Sequence, residues 1–204
     1  SLGSRGLGDV YKRQVSCDIT EPEEDVAVPV LVVINLETME KKQYSGTSLN
    51  TRISSASFIN NDTLLVSRSC DRGAGSSGTV DCYSLYGINV VTGKREALIR
   101  AKQTSTGQGV RYPSLFDSMP QYPNKIIITM NRMPQFPWRF RDLYWLDLDT
   151  KQTTKIAEVP DIKNEWHQQW LIDHDGNARG FITNHDDRKD REPNGARDGL
   201  YTYV

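Results

Sequence analysis

Three cysteines and three histidines, with one cluster rich in glycine and serine, are the residues through which this chain would do chemistry. Cys70 and Cys82 bracket a Gly/Ser-rich stretch with eleven residues between them. Joined as a disulfide they would staple that loop, an effect of about 3 kcal/mol in the chain-entropy model. Unjoined, they are two thiols in a reducing compartment. Their spacing matches no common zinc pattern and no histidine lies between them. Cys17, near the N-terminus, adds little to either reading.

Of the three histidines, His167, His174 and His185, the last two lie beside acidic residues, Asp173, Asp175, Asp186 and Asp187. Those residue types would suit a metal, but His174 falls at a hairpin tip and the Asp-rich runs read as solvated turns. Asp173-His174-Asp175-Gly176-Asn177 fails as a calcium-binding EF loop, which needs Gly sixth and Glu twelfth. A hydrolytic serine would call for Gly-x-Ser-x-Gly on a strand-to-helix turn. Gly73-Ala74-Gly75-Ser76-Ser77-Gly78 lacks that spacing and no helical pattern follows it. Neither a Gly-rich phosphate loop nor a cofactor motif is present. No catalytic, cofactor-binding or metal-ligating set is therefore assigned, and the one candidate site feature is the Cys70–Cys82 bridge. Bridges persist in oxidising compartments, so that pairing favours a periplasmic or secreted protein over a cytoplasmic one.

Composition narrows the partners. Twenty-five Lys and Arg against 26 Asp and Glu leave a net charge of −1, so no basic excess would hold nucleic acid. No apolar run approaches the roughly 18 residues that would span a bilayer as a helix.

The elements that must position any site follow a repeat. Val33-Ile34-Asn35-Leu36-Glu37-Thr38, Gly87-Ile88-Asn89-Val90-Val91-Thr92 and Trp145-Leu146-Asp147-Leu148-Asp149-Thr150 each place an apolar strand before a short polar turn. Their Asn35, Asn89 and Asp147 are 54 and 58 residues apart, and Leu143-Tyr144 recurs as Leu200-Tyr201. A repeat of that length holding several short strands predicts a β-propeller, with a β-sandwich of similar hairpins as the other all-β solution. Hairpins are expected around Asn60-Asn61-Asp62, where Asn and Asp tolerate positive φ, around Thr92-Gly93-Lys94, and around Asp175-Gly176. Lys125 to Met130 is a further apolar strand. No long stretch carries a 3.6-residue apolar period, so the expected fold is all-β: a partial β-propeller of about three to four four-stranded antiparallel blades. Residues 68–82, 132–142 and 184–198 are too long for tight hairpins and read as insertions projecting from one rim, where scaffolds carry function.

Both ends carry expectations of their own. Asp9-Val10-Tyr11-Lys12-Arg13-Gln14 resembles the in-frame translation of a transposon end used in preparing sequencing libraries, which makes residues 1–14 a non-native leader and 15–204 the propeller domain. Leu200 to Val204 reads as a strand without its partner, so the domain is expected to be truncated at both ends.

Trp170-Leu171-Ile172-Asp173-His174-Asp175-Gly176-Asn177-Ala178-Arg179 resembles the Trp-Leu-x-Asp-x-x-Gly-x-x-Arg blade motif of the N-terminal propellers of bacterial prolyl oligopeptidase-like (S9 family) serine peptidases. Phe58 to Val66 and Leu143 to Thr150 are similar to other blades of the same propellers. The resemblance implies a seven- or eight-bladed propeller capping an α/β-hydrolase domain and admitting short peptides to its Ser-Asp-His site. Its partners would be that C-terminal hydrolase domain and a short peptide substrate. The catalytic domain has no counterpart in these residues, so no catalytic residue carries over. The competing reading is a stand-alone propeller that binds a protein partner through its rim loops, and a third is a propeller enzyme using central-channel residues, such as a lactonase.

Overall fold

The computed structural model describes residues 12–20, 27–45, 51–70, 83–103, 110–131, 141–160, 165–185 and 198–202. They form strands throughout, in chain order β1 (Lys12–Thr20), β2 (Ala27–Asn35), β3 (Lys41–Ser45), β4 (Thr51–Phe58), β5 (Thr63–Cys70), β6 (Leu85–Asn89), β7 (Arg95–Ile99), β8 (Lys102–Gln103), β9 (Val110–Arg111), β10 (Pro113–Asp117), β11 (Lys125–Asn131), β12 (Arg141–Asp147), β13 (Thr153–Ala157), β14 (Glu165–Ile172), β15 (Ala178–His185) and β16 (Asp198–Thr202). Each sheet is a meander: β1-β2-β3, β4-β5-β6-β7, β10-β11-β12-β13 and β14-β15-β16, with β8-β9 a small ribbon. Every pairing is antiparallel. The chain divides into two compact units, residues 1–101 with 120–123, and residues 102–119 with 124–204.

The sequence repeat is a structural one. Leu85 to Asn89 and Leu143 to Asp147 both lie in the third strand of a four-stranded sheet. Both strands shift register at the same place, between Leu85 and Tyr86 and between Leu143 and Tyr144. β2 and β3 repeat that hairpin, with Ile34 opposite Lys41 where Ile88 faces Arg95 and Leu146 faces Thr153.

The strands follow from their side chains. β11 is buried from Ile126 to Asn131, as its unbroken apolar run requires of a strand covered on both faces. In the first unit Leu31, Val33, Tyr44, Leu64, Val66, Ile88 and Val90 form one buried cluster. In the second, Trp170 is buried against its cross-strand partner Phe181, the rings meeting edge to face at 5.5 Å. Such a pair is worth about 0.5–1.5 kcal/mol beyond its buried area.

Several strands were not legible. β4 begins at Thr51 rather than near Ser57, because Thr-Arg-Ile-Ser-Ser-Ala carries too little apolar alternation to announce itself. β10 starts on Pro113 and holds two large apolar residues, Leu115 and Phe116. β1 starts at Lys12, paired with Asn35, so the expected leader boundary at residue 14 falls inside a strand. The Asn60 hairpin differs from expectation in its mechanism. None of Asn60, Asn61 and Asp62 has positive φ; instead Asn60 Oδ1 accepts from the backbone N–H groups of Asp62 and Thr63, at 3.1 and 2.7 Å.

Candidate functional site

The two ends of each sheet are built differently. At one end stand the tight turns. Asn35 Oδ1 accepts from the N–H groups of Glu37 and Thr38 (2.9 and 3.3 Å), and Asn89 Oδ1 from those of Val91 and Thr92 (3.1 and 2.8 Å). Asp147 Oδ1 does the same for Asp149 and Thr150 (3.1 and 2.8 Å). In each turn the threonine hydroxyl then accepts from the N–H two residues on, at Glu40, Lys94 and Gln152. The residue between takes a left-handed backbone in all three, Met39 at φ 58°, Gly93 at 74° and Lys151 at 60°. Asn and Asp earn these positions because a short side-chain acceptor imitates a turn of backbone. The Asp147 carboxyl is lowered below the usual range chiefly by the Thr150 N–H.

The fourth sheet closes its first hairpin with a related clamp. Asp173 Oδ1 accepts from the N–H groups of Asp175 and Asn177, at 3.0 and 2.8 Å. Its Oδ2 accepts from Asn177 Nδ2 at 3.1 Å and from Arg179 at 2.8 (Nε) and 2.6 Å (Nη2). The Asn177 side chain and backbone, then Arg179, hold the Asp173 carboxyl down at about 2. A carboxylate so engaged serves the turn rather than a ligand. Gly176, at φ 81°, lies against Trp145 of the neighbouring sheet. Near the turns of the first two sheets Val33, Asn35, Glu40, Lys42 and Val90 line a cleft of about 90 Å³. That is well short of the roughly 300 Å³ of a small-molecule pocket, and Lys42 Nζ already donates to the carbonyls of Val90 and Val91 at 3.0 and 3.3 Å.

At the opposite end lie the end of β5 and start of β6, the end of β11 and start of β12, and the end of β15 and start of β16, together with the strand ends that lead from one sheet to the next. Here buried polar side chains brace strand ends. Ser84 Oγ accepts from Ala101 N–H at 2.9 Å, and Asp142 Oδ1 from Val159 N–H at 3.2 Å, the same position in two sheets. Asn131, fully buried, accepts from Tyr112 N–H at 2.7 Å. Around this end of β10–β13 the cations face aromatic rings. Arg111 lies over Tyr144 at 5.6 Å and donates to its hydroxyl at 2.8 Å, while Lys155 approaches the same ring at 5.8 Å. Lys155 also pairs with Glu158 at 2.7 Å and Asp142 at 3.8 Å, and its ammonium is raised mainly by Glu158. Arg141 Cζ lies over the Tyr112 ring, 5.5 Å from its centre, and the guanidinium donates to Ser114 Oγ at 2.6 Å. These groups can hold a ligand by charge and stacking. None pairs a nucleophile with a base.

The residues singled out from sequence fall on different elements. Cys70 ends β5 opposite Thr51, while Cys82 and the Gly73 to Gly78 cluster lie outside the described residues, so the bridge does too. His167 and His185 occupy one end of the β14–β15 ladder and exposed His174 the turn at the other. Among the described residues no three His, Cys, Asp or Glu side chains are grouped as a metal would need. Arg141, Asp142 and Asn131 went unnoticed; their signal was a charged or amide residue at each neck of an insertion.

Solved structures of related shape decide the architecture. Over 95% of its length the chain superposes on 51% of the β-propeller domain of the Trilobed protease from Pyrococcus furiosus, which has an open velcro topology, with a TM-score of 0.54 and 11% identity. The chain is a partial β-propeller. Its four meandering sheets are the blades, two with four strands and two with three among the described residues. It spans about half the length of that structure. An oligogalacturonate lyase in complex with manganese superposes with a TM-score of 0.49 and 11% identity over 79% of this chain and 40% of its own. An acylaminoacyl peptidase from Pyrococcus horikoshii does so with 0.45 and 10% over 94% and 29%. At these identities it is the fold that is shared. No protein-family model and no curated protein matches the sequence.

Proposed function

We propose that this chain is the non-catalytic propeller portion of a prolyl oligopeptidase-like serine peptidase, capping an α/β-hydrolase active site and restricting it to short peptides. The observation that carries the reading is the Trp170 to Arg179 segment. Its motif residues act as one unit: Trp170 is buried, Asp173 is clamped by Arg179, and Gly176 seats the turn on the next blade. The likeness in fold to the propeller domain of a protease supports it.

Reading the gene beyond residue 204 tests this directly. A Gly-x-Ser-x-Gly on a predicted strand-to-helix turn, followed by Asp and His, is the expected result. A stop codon after one further blade would refute it in favour of a stand-alone binding propeller. The 204-residue chain itself is expected to resist labelling by a serine-directed fluorophosphonate, because a serine hydroxyl without a base is a poor nucleophile.

A further inference from the structure

We propose that Arg141 is the anchor of an oxyanion-binding site, for a carboxylate or phosphate group, at the connection end of the blade β10–β13. The argument begins with what the guanidinium lacks. Its contacts among the described residues are the Ser114 hydroxyl and the Tyr112 ring, both uncharged. The nearest acid in sequence, Asp142, is committed to Val159 N–H and Lys155. Arg141 Nε is buried and has no hydrogen-bond partner. A buried donor left unmatched is costly, and more so on a charged group.

What holds Arg141 in place is correspondingly firm. Its carbonyl accepts from Trp170 Nε1 at 2.7 Å, one Nη is fixed on Ser114, and its Cζ lies over the Tyr112 ring. Tyr112 is in turn held by the buried Asn131. A guanidinium fixed this way keeps the outer N–H groups of its two Nη atoms as a fork, which matches the two oxygens of a carboxylate or phosphate. Lys155 nearby is held by two carboxylates, and Arg111 by the Tyr144 ring and hydroxyl. Arg141 is likewise given one ring and one hydroxyl, but with its Nε buried and unmatched.

Equilibrium unfolding in acetate and in inorganic phosphate, each replacing chloride at constant ionic strength, tests the site. The expected result is that one or both anions raise the folded-to-unfolded ratio of the wild-type chain, by about a hundredfold at a concentration about 100 times Kd. Acetate alone would identify a carboxylate ligand, phosphate alone a phosphoryl group. R141Q is expected to abolish the rise, and R141K, which keeps the charge without the fork, to weaken it at least tenfold. K94Q, at an exposed turn of the other unit, is expected to respond as wild type does. General salting effects on burial would act on all variants alike. No anion response in the wild-type chain, one that survives in R141Q, or one undiminished in R141K would overturn the proposal. So would loss of the response in K94Q.

Discussion

Replacing Gly176 by alanine adds one carbon at a position that has neither the conformation nor the room for it. The new Cβ would stand 2.4 Å from Trp145 Cζ2, 2.8 Å from Cη2 and 3.1 Å from Ile127 Cδ1. Real carbons do not approach so closely, so the indole must move, and overpacking of this kind costs about 1–3 kcal/mol. The backbone adds about 1–2 kcal/mol, because φ of 81° is left-handed and alanine resists it. Alanine's smaller unfolded ensemble returns about 0.4–1 kcal/mol. The net is a loss of about 2–4 kcal/mol, a large share of the roughly 5–15 kcal/mol that holds a domain together. Gly93 supplies the control. It has nearly the same φ, 74°, with nothing near its missing Cβ, so G93A loses only the conformational term. Urea unfolding followed by tryptophan fluorescence would compare the two. A W145L change in the G176A background should recover the packing part, a coupling of about 1–3 kcal/mol in a double-mutant cycle. If G176A proves no more harmful than G93A, or if W145L rescues nothing, the contact between these blades is not what requires the glycine.

Three further outcomes are expected. Met39 holds the same left-handed turn position that glycine fills at 93, so M39G should raise the urea midpoint by an amount near 0.5–1 kcal/mol, the left-handed penalty less glycine's entropy. S84A leaves the Ala101 N–H without its acceptor in a buried place and should cost about 1–3 kcal/mol by the same measurement. Asp173 has its carboxyl lowered from 3.8 to about 2, so its stabilising effect is complete above about pH 4 and disappears as pH falls through about 2. Stability of wild type measured across that window should therefore drop more steeply than that of D173N, and equal slopes would show that the clamp contributes nothing.

What could be read from sequence was what is local. The turns at 35–40, 89–94 and 147–152 are specified by residues within one hairpin, and an Asn or Asp followed three residues later by Thr announces them. The strands before them are apolar enough to be recognised alone. β10 escaped because its burial comes from neighbours in the fold, which Pro113-Ser114 does not advertise. Met119 shows the same limit: it sits buried with a φ of 45°, held by its N–H on Asp117, and nothing in Ser-Met-Pro predicts that. The Arg141 environment is assembled from β10, β11, β12 and β14, segments up to 58 residues apart, so no motif in one window contains it. Arg141 and Asp142, inside a stretch expected to be an insertion, lie in β12 instead, and they gave no local signal because a lone Arg or Asp beside a loop is normally solvated.

Because the hydrogen bonds that close each outer hairpin's turn lie within six consecutive residues, that turn does not wait for the rest of the chain, whatever Val90 and Leu148 add by donating to Asp62 and Asn124. Asn35, Asn89 and Asp147 can each close their turn while the sheets around them are still open, and hairpins form in about 1–10 μs. The slow part of folding is then adding the inner strands, which demands closure of the longer connections. Three independent starting points spaced along the chain also mean that a ribosome releases one complete nucleus roughly every 54 to 58 residues. Folding of this protein during synthesis would then advance in steps, one blade at a time.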